Sequence, residues 1–296
     1  MNPSPEYPRE DRSPAAPAQP KKIVPNTNPA TSAVPLHRLQ RGGVPQPDTD
    51  NLAVEEPLEI RLDGQAIVTL MRTPGDDRDL IAGFLLTEGI IQQRKDIAGI
   101  APCPHPNAER PGNIVTVTLA PGLAVDFDKL RRHLVASSSC GVCSKASIAA
   151  IRRTFPAITS PTRIPASMLH SLPAKLRAAQ ETFDQTGGLH ASAWFDSSGN
   201  LLALREDVGR HNALDKLIGH RLLENTTETD GILLVSGRVA FEIVQKALAA
   251  RFPIIAAISA PTSLAVEFAE ENNQTLVGFL RDGRMNIYTH PQRITG

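Results

Sequence analysis

Between residues 231 and 281 the chain alternates short apolar runs with stretches of helical spacing. GILLV (231–235) and PIIAAI (253–258) carry no polar face, and each ends in a small polar loop. Runs of that kind read as strands buried on both sides. After the first, FEIVQKALAARF sets Phe241, Val244, Ala247 and Leu248 on one stripe of a helix; after the second, SLAVEFAEENN also reads as a helix. TLVGFLRDGRMNIYT then reads as a strand, an Asp282–Gly283 turn and a further strand. Short strands alternating with helices predict an α/β fold with a partly parallel sheet.

Upstream the rhythm differs. LEIRLDGQAIVTLMRTP alternates apolar and polar residues around Asp63–Gly64, as a β-hairpin with a primed turn does. Asp76, Asp77 and Asp79 precede Leu80, Ile81, Phe84 and Leu85 at helical spacing, the order expected of an acidic helix N-terminus. NIVTVTL (113–119) reads as a strand. Past residue 160, FDQTGGLHASAWF leads into a strand, a Ser197–Asn200 turn and a second strand, LLALRED; VGRHNALDKLIG follows as a helix closed by Gly219. Residues 1–48 hold 11 of the 25 prolines and read as a disordered tail. A smaller α+β domain over 49–135 and a main domain over 136–296 are expected after it.

Composition narrows the function classes. Hydrophobic residues make up 41% of the 296 positions and aromatics 4%, so a sizeable core must be built from Leu, Ile, Val and Ala. The 31 Lys and Arg balance the 31 Asp and Glu, which argues against a nucleic-acid binder but leaves room for a local basic pocket. No apolar run approaches the roughly 20 residues of a membrane span. The opening MNPSPEYPREDR lacks the apolar stretch of a secretory signal. Three cysteines, two of them in one C-x-x-C, suit a reducing cytoplasm.

The segment SSSCGVCSKASIAAIRR (137–153) concentrates the chemistry. Its serines can cap a helix continuing through Lys145, Ile148, Ile151 and Arg152. At a helix opening, N–H groups and the positive dipole end stabilise a thiolate, the form that attacks a persulfide and takes its outer sulfur. Gly141 removes bulk beside Cys140. Spacing alone leaves three other readings open. Zinc would need two more ligands, and Cys103–Pro104–His105 is an awkward chelate between prolines. A thioredoxin-type redox pair normally follows a βαβ opening. A buried cysteine with an incidental neighbour is the plainest alternative.

An anion site is readable beside it. In parallel α/β sheets, ligands bind beyond the carboxyl ends of the strands. Ser236–Gly237–Arg238 and Ser259–Ala260–Pro261–Thr262 end two strands and open two helices. If those strands are parallel neighbours, Gly237 admits a phosphate, Arg238 pairs with it and Thr262 offers a hydroxyl. Arg281 and Arg284 flank a tight turn and add charge. The competing reading makes Ser259 and Thr262 helix caps and the arginines solvated. Glu206, Asp207, Arg210 and His211 crowd behind a strand, where capping and salt bridges explain them at least as well as function. His190, after Gly187–Gly188, either faces a ligand, takes part in proton transfer or is structurally hydrogen-bonded.

Several stretches together resemble the FdhD family: RTPGDDRDLIAGFLLTEGII (72–91), SSSCGVCSK (137–145), TGGLHASAW (186–194), EDVGRHNALDK (206–216), SGRVAFEIVQKA (236–247), SAPTSLAVEFA (259–269) and TLVGFLRDGRMNIYTHPQR (275–293). The likeness runs from about residue 50 to the end and departs at Ser144, where the family usually has glycine. It implies a main domain with the cytidine-deaminase-like three-layer α/β/α fold, and a homodimer. It implies sulfur accepted from a cysteine desulfurase and passed to the bis-molybdopterin guanine dinucleotide form of the molybdenum cofactor, before insertion into formate dehydrogenase. GDP-like nucleotides would mimic that ligand. The persulfide carrier falls on Cys140, with Cys143 assisting, and the guanine-nucleotide pocket on Phe279, Leu280, Arg281, Asp282, Gly283 and Arg284.

Two rivals share parts of this pattern. A zinc nucleobase deaminase would need an acid/base Glu where His190–Ala191–Ser192 has Ser, and a Pro-Cys-x-x-Cys that neither Cys103 nor Cys140 supplies. A non-transferring scaffold would hold the molybdenum cofactor or dock the target enzyme without carrying sulfur.

Overall fold

The computed structural model describes residues 29–103, 112–123, 125, 127, 155–224, 230–281 and 283–296. Strands β1 (Thr31–Arg38) and β2 (Gln46–Ala53) pair antiparallel as a hairpin. Strands β3 (Glu56–Leu62) and β4 (Gln65–Arg72) form a second hairpin. Its turn residues Asp63 and Gly64 have φ of 45° and 85°, the left-handed geometry a primed turn requires. Helix α1 (Asp77–Thr87) and strands β5 (Ile97–Pro102) and β6 (Ile114–Leu119) follow. The sheet runs β4-β3-β6-β5. Leu58, Ile60 and Leu62 alternate inward from β3, meet Val115 and Val117 from β6, and pack on Leu80, Ile81, Phe84 and Leu85 of α1.

The rest of the chain builds a second sheet. Strand β7 (Ile164–Pro165), helices α2 (Ala166–Ala179) and α3 (Glu181–Thr186), and strands β8 (His190–Phe195) and β9 (Leu201–Asp207) come first. Helix α4 (Arg210–Leu223), strand β10 (Ile232–Val235), helix α5 (Phe241–Ala249), strand β11 (Ile254–Ala257) and helix α6 (Ser263–Glu271) follow. Strands β12 (Thr275–Arg281), β13 (Arg284–Thr289) and the short β14 (Ile294–Thr295) end the chain.

The six-stranded order is β13-β12-β11-β10-β8-β9. β10, β11 and β12 are mutually parallel, while β8, β9 and β13 run antiparallel to their neighbours. Because side chains alternate across a strand, Ile232, Leu234, Ile254 and Ala256 face Leu169, Leu172 and Leu176 of α2. Leu233, Val235, Ile255 and Ala257 face α4, α5 and α6. The apolar runs of the sequence are thus strands buried on both faces, as expected.

Two expectations are corrected. The tail predicted over 1–48 gives way at its end to the β1–β2 hairpin; its residues 1–28 lie outside the described residues. Composition measures apolar burial, but this hairpin is held by its backbone ladder and anchored at its base. Thr31 is 2% exposed, the Val54 N–H donates to the Ala30 carbonyl at 2.9 Å, and Leu39 and Val44 at the far end stay exposed.

Gly219 does not close a helix; it sits inside α4, which runs on to Leu223. There it lets α1 approach. A Cβ on Gly219 would lie 1.8 Å from the Asp79 carbonyl oxygen, and one on Gly83 would lie 1.8 Å from that of Asp215. Beside this contact, Lys246 from α5 donates to Asp215 Oδ1 and Oδ2 at 2.9 and 2.7 Å and to Thr87 Oγ1 at 2.8 Å. Thr87 in turn donates to Asp215 Oδ1 at 2.9 Å. Burial pushes the Asp215 carboxyl up, and Lys246 and Thr87 oppose it. One ion pair therefore ties α1, α4 and α5 together.

This packing sets the sign of two substitutions. At an exposed helix position Gly→Ala stabilises by up to about 1 kcal/mol. Gly219→Ala should do the opposite and cost on the order of 2 kcal/mol, because the methyl meets backbone that cannot step aside; chemical denaturation reads the sign directly. Lys246→Met leaves Asp215 buried without its partner and should cost roughly 3–5 kcal/mol near neutral pH, measured in the same way.

Candidate functional site

The parallel register of β10 and β11 pairs Val235 with Ala257, so their following loops emerge on one edge of the sheet. A bridge between Val239 and Pro261 holds those loops side by side, with the Val239 N–H donating to the Ala260 carbonyl at 3.1 Å and the Thr262 N–H to the Val239 carbonyl at 2.9 Å. The next loop joins them: the Phe279 N–H donates to the Ser259 carbonyl at 3.1 Å. Gly278 is required there, since a Cβ would lie 2.8 Å from Pro261 Cδ. On the other side, antiparallel β8 pairs Ser192 with Val235 and so starts where β10 ends. The Ala191 N–H donates to Ser236 Oγ at 2.9 Å, fixing that serine. The described site residues thus line one edge in the order His190, Ser236–Arg238, Ser259–Thr262, Phe279–Arg284.

Within that line the roles divide. Leu280 is fully buried in the core, so its side chain serves packing. Thr262 Oγ1 accepts from the Ala265 N–H at 3.3 Å and caps α6. Phe279 holds a left-handed φ of 52° at a bulge in the β12–β13 ladder, and the Arg281 guanidinium lies 5.8 Å from its ring centre. Arg238, Arg281, Gly283 and Arg284 are exposed. Asp282 lies outside the described residues, as do Cys140, Cys143 and the serines before them. Cys103 is a free, half-buried cysteine whose backbone N–H donates to the Ile114 carbonyl at 2.8 Å.

The polar cluster after β9 separates into spent and unspent groups. Glu206 accepts from the Thr182 and Phe183 N–H groups at 3.0 and 2.9 Å and opens α3. Asp207 is fully buried, 2.8 Å from Lys216 Nζ, and accepts from the Gly209 and Thr73 N–H groups. His211 Nε2 lies within ion-pair distance of Glu242 Oε2, at 3.1 Å, but is buried without a hydrogen-bond partner. Arg210 opens α4, and its Nε is buried without a hydrogen-bond partner.

His190 closes this corner. A Cβ built on Gly237 would lie 3.2 Å from His190 Nδ1 and 3.7 Å from Arg210 Cβ, so glycine keeps the imidazole and the arginine stem close. Burial, then Arg210 and His211, hold the His190 pKa below its ordinary 6.5; Asp207 pulls the other way and Arg238 adds to the depression. The sequence showed Arg210 only as one member of a crowded run; its position at a strand-to-helix junction was the available signal. A separate open cleft of about 200 Å³, lined among others by Asp76, Arg205, Glu206 and Lys216, presents charges already engaged. Arg205, for example, lies 2.7 Å from Asp79. Among the described residues no group of His, Cys, Asp and Glu is placed to hold a metal, and no helix is long and apolar enough to cross a membrane.

Fold and edge together define a mixed α/β protein whose sheet-end loops gather cationic groups. The chain belongs to the FdhD/NarQ family, whose model matches residues 53–295. It is 48% identical over 265 residues to the sulfur carrier protein FdhD of Streptomyces coelicolor, covering 87% of this chain and 93% of that one. It is 45% identical over 251 residues to the sulfur carrier protein FdhD of Sulfurisphaera tokodaii, covering 83% and 92%. A Desulfotalea psychrophila crystal structure, provisionally described as a formate dehydrogenase accessory protein, superposes with a TM-score of 0.71 at 25% identity, covering 90% of this chain and all of that one.

The His190 environment predicts a pH effect with a definite sign. Because its folded-state pKa is lowered, the unfolded chain binds the proton better, and this group's contribution to stability is lost as pH falls below 6.5 towards the folded-state pKa. Ring-proton NMR should place the His190 midpoint below the ordinary histidine range, and Arg210→Gln should move it part of the way back. An unmoved midpoint would mean that Arg210 does not act on this ring.

Proposed function

We propose that this chain carries sulfur as a persulfide on Cys140, taken from a cysteine desulfurase and delivered to bis-molybdopterin guanine dinucleotide before that cofactor enters formate dehydrogenase. The observation that carries the reading is the C-x-x-C of Cys140 and Cys143 inside the span matched to a family of sulfur carrier proteins. The Desulfotalea psychrophila structure, described as a formate dehydrogenase accessory protein, supports formate dehydrogenase as the client.

Loading needs no outside oxidant. The Cys140 thiolate attacks the outer sulfur of the donor persulfide; the donor S–S bond breaks as the new one forms, and the donor leaves as a thiolate. Cys143 is assigned an assisting role. The molybdenum cofactor is substrate here and docks in the sheet-end crevice. Its guanine nucleotide is assigned to Phe279, Leu280, Arg281, Asp282, Gly283 and Arg284. Its remaining polar groups meet Ser236, Gly237, Arg238, Ser259, Thr262 and His190. Because Leu280 and the Thr262 hydroxyl are already committed to the core and to a cap, these two contribute shape and backbone rather than free side-chain contacts. Residues 136–296 are read as a cytidine-deaminase-like three-layer domain and 49–135 as a smaller α+β domain, in a cytoplasmic homodimer.

The test is direct. Incubated with a cysteine desulfurase and L-cysteine, the protein should gain sulfur by intact mass, and dithiothreitol should remove it. Cys140→Ala should abolish the gain. Full retention in that variant would move the carrier to Cys143 or Cys103, and no gain in wild type would favour a scaffold that holds the cofactor without carrying sulfur.

A further inference from the structure

The β1–β2 ribbon is anchored at its base, where Thr31 is buried and α3 packs against it. Its tip is not: Leu39 and Val44 are 62% and 68% exposed. Two strands alone are marginal in water, so a ribbon of this length wants a further contact. Pro35 and Pro47 sit in its two strands and remove N–H groups with which an edge would pair. A contact through the ribbon is therefore left to the tip. Between Leu39 and Val44 the turn carries Arg41, which is exposed and forms no ion pair among the described residues. Arg38, just before it, is already paired with Asp48. The tip thus presents one free guanidinium flanked by two large apolar side chains.

The open cleft beside α3 is complementary to it. Ala179, Leu189 and Leu204 supply its apolar lining. Arg205 and Lys216 are each answered from behind, by Asp79 at 2.7 Å and Asp207 at 2.8 Å. The lining carboxylates Asp76, Glu181 and Glu206 are left to set the sign of the field. Of these Glu181, at the opening of α3, is exposed and forms no ion pair among the described residues. A volume of about 200 Å³ admits side chains rather than a folded element. The tip cannot serve the cleft of its own chain. Ala30 lines that cleft, and the eight residues of β1, at about 3.3 Å each, carry the tip roughly 25 Å away from it.

We propose that the ribbon tip of one copy docks in the cleft of a second, with Arg41 against Glu181 and with Leu39 and Val44 covering the apolar lining. Each copy carries both a tip and a cleft, so a two-fold axis satisfies the two contacts at once and closes the assembly as a dimer. The ribbon stands before residue 53, where the family match begins, and the contact is read from this chain's own residues. It rests on the homodimer reading given above, to which it adds a surface, and is independent of the sulfur reading.

Sedimentation velocity on the full chain over a range of concentrations tests this. Wild type should dimerise, less tightly as salt is raised. Arg41→Glu and Glu181→Lys should each weaken the dimer by about tenfold or more, since each sets like charges together. Combined in one chain they should recover much of that loss, because the pair re-forms with its signs exchanged. Leu39→Ser should weaken the dimer without changing its salt dependence. Lys95→Glu, at an exposed position away from both surfaces, should change nothing. All these positions are exposed, so the variants should fold. Arg41→Glu and Leu39→Ser at wild-type affinity, or a combined variant no tighter than its parents, overturns the tip contact while leaving a dimer through another surface. A wild type that stays monomeric overturns the contact and the homodimer reading together. Lys21→Glu with Lys22→Glu should have no effect; loss of the dimer there, with the tip variants unchanged, would give the contact to the N-terminal segment instead. Sulfur loading measured on the same samples should be indifferent to Arg41→Glu.

Discussion

Three parallel strands buried on both faces fix nearly everything of functional interest in this protein. β10 and β11 are four residues each, too short to leave their loops any latitude. Once Ile232 is aligned with Ile254 and Ile254 with Thr275, the loops that follow must leave by the same edge. β12 alone outruns its neighbours. It bends where it passes the Ser259 loop, at Phe279, in a left-handed conformation that a bulky residue tolerates only under constraint. β12 therefore carries the β12–β13 turn further past this edge than β10 and β11 carry their loops.

The second constraint is electrostatic, and net charge hides it. The chain is neutral overall, yet its buried carboxylates are not where its exposed guanidinium groups are. Asp207 at the end of β9 is consumed inside by Lys216 of α4, and Asp215 of α4 by Lys246 of α5. These pairs stitch the two sheets: Lys216 also donates to the Thr73 carbonyl at 2.8 Å, and Lys246 to Thr87 on α1. Buried pairs of this kind contribute little net stability against an apolar replacement, but they penalise any arrangement that separates the partners. Their consequence at the surface is that the sheet edge keeps Arg210, Arg238, Arg281 and Arg284 without compensating acids among the described residues. A neutral protein thus presents a local positive field at one edge of its sheet.

Much of this was legible in the sequence because two-sided burial writes an unambiguous pattern. GILLV and PIIAAI have no polar residue to misread, and the partly parallel sheet expected from the alternation of such runs with helices is observed, with these two strands as parallel neighbours. What was not legible depends on contacts between distant segments. A glycine closing a helix and a glycine admitting a neighbouring helix look alike in one dimension; only the Asp79 carbonyl facing Gly219 tells them apart. Leu280 shares a run with exposed arginines, and the irregularity at Phe279 turns it onto the same core as Val277 rather than that of Leu276. The β1–β2 hairpin escaped because Pro-rich composition speaks to apolar burial and not to a backbone ladder tied down at Thr31.

The run Glu206, Asp207, Arg210, His211 shows where sequence reading stops and geometry begins. Four polar residues within six positions invite a single explanation for all of them, yet each has a different fate. Glu206 spends both carboxylate oxygens on the N–H groups that open α3. Asp207 turns inward to Lys216. His211 faces Glu242 from the next helix. Only after those three are accounted for does Arg210 stand out: its Nε, like His211 Nε2, is buried without a hydrogen-bond partner, but no carboxylate among the described residues stands within ion-pair distance of it. Residue type could not single it out, since any of the four is chemically able to bind a ligand. The discriminating quantity is unspent hydrogen-bonding capacity, which becomes visible only when the partners of every neighbour are known.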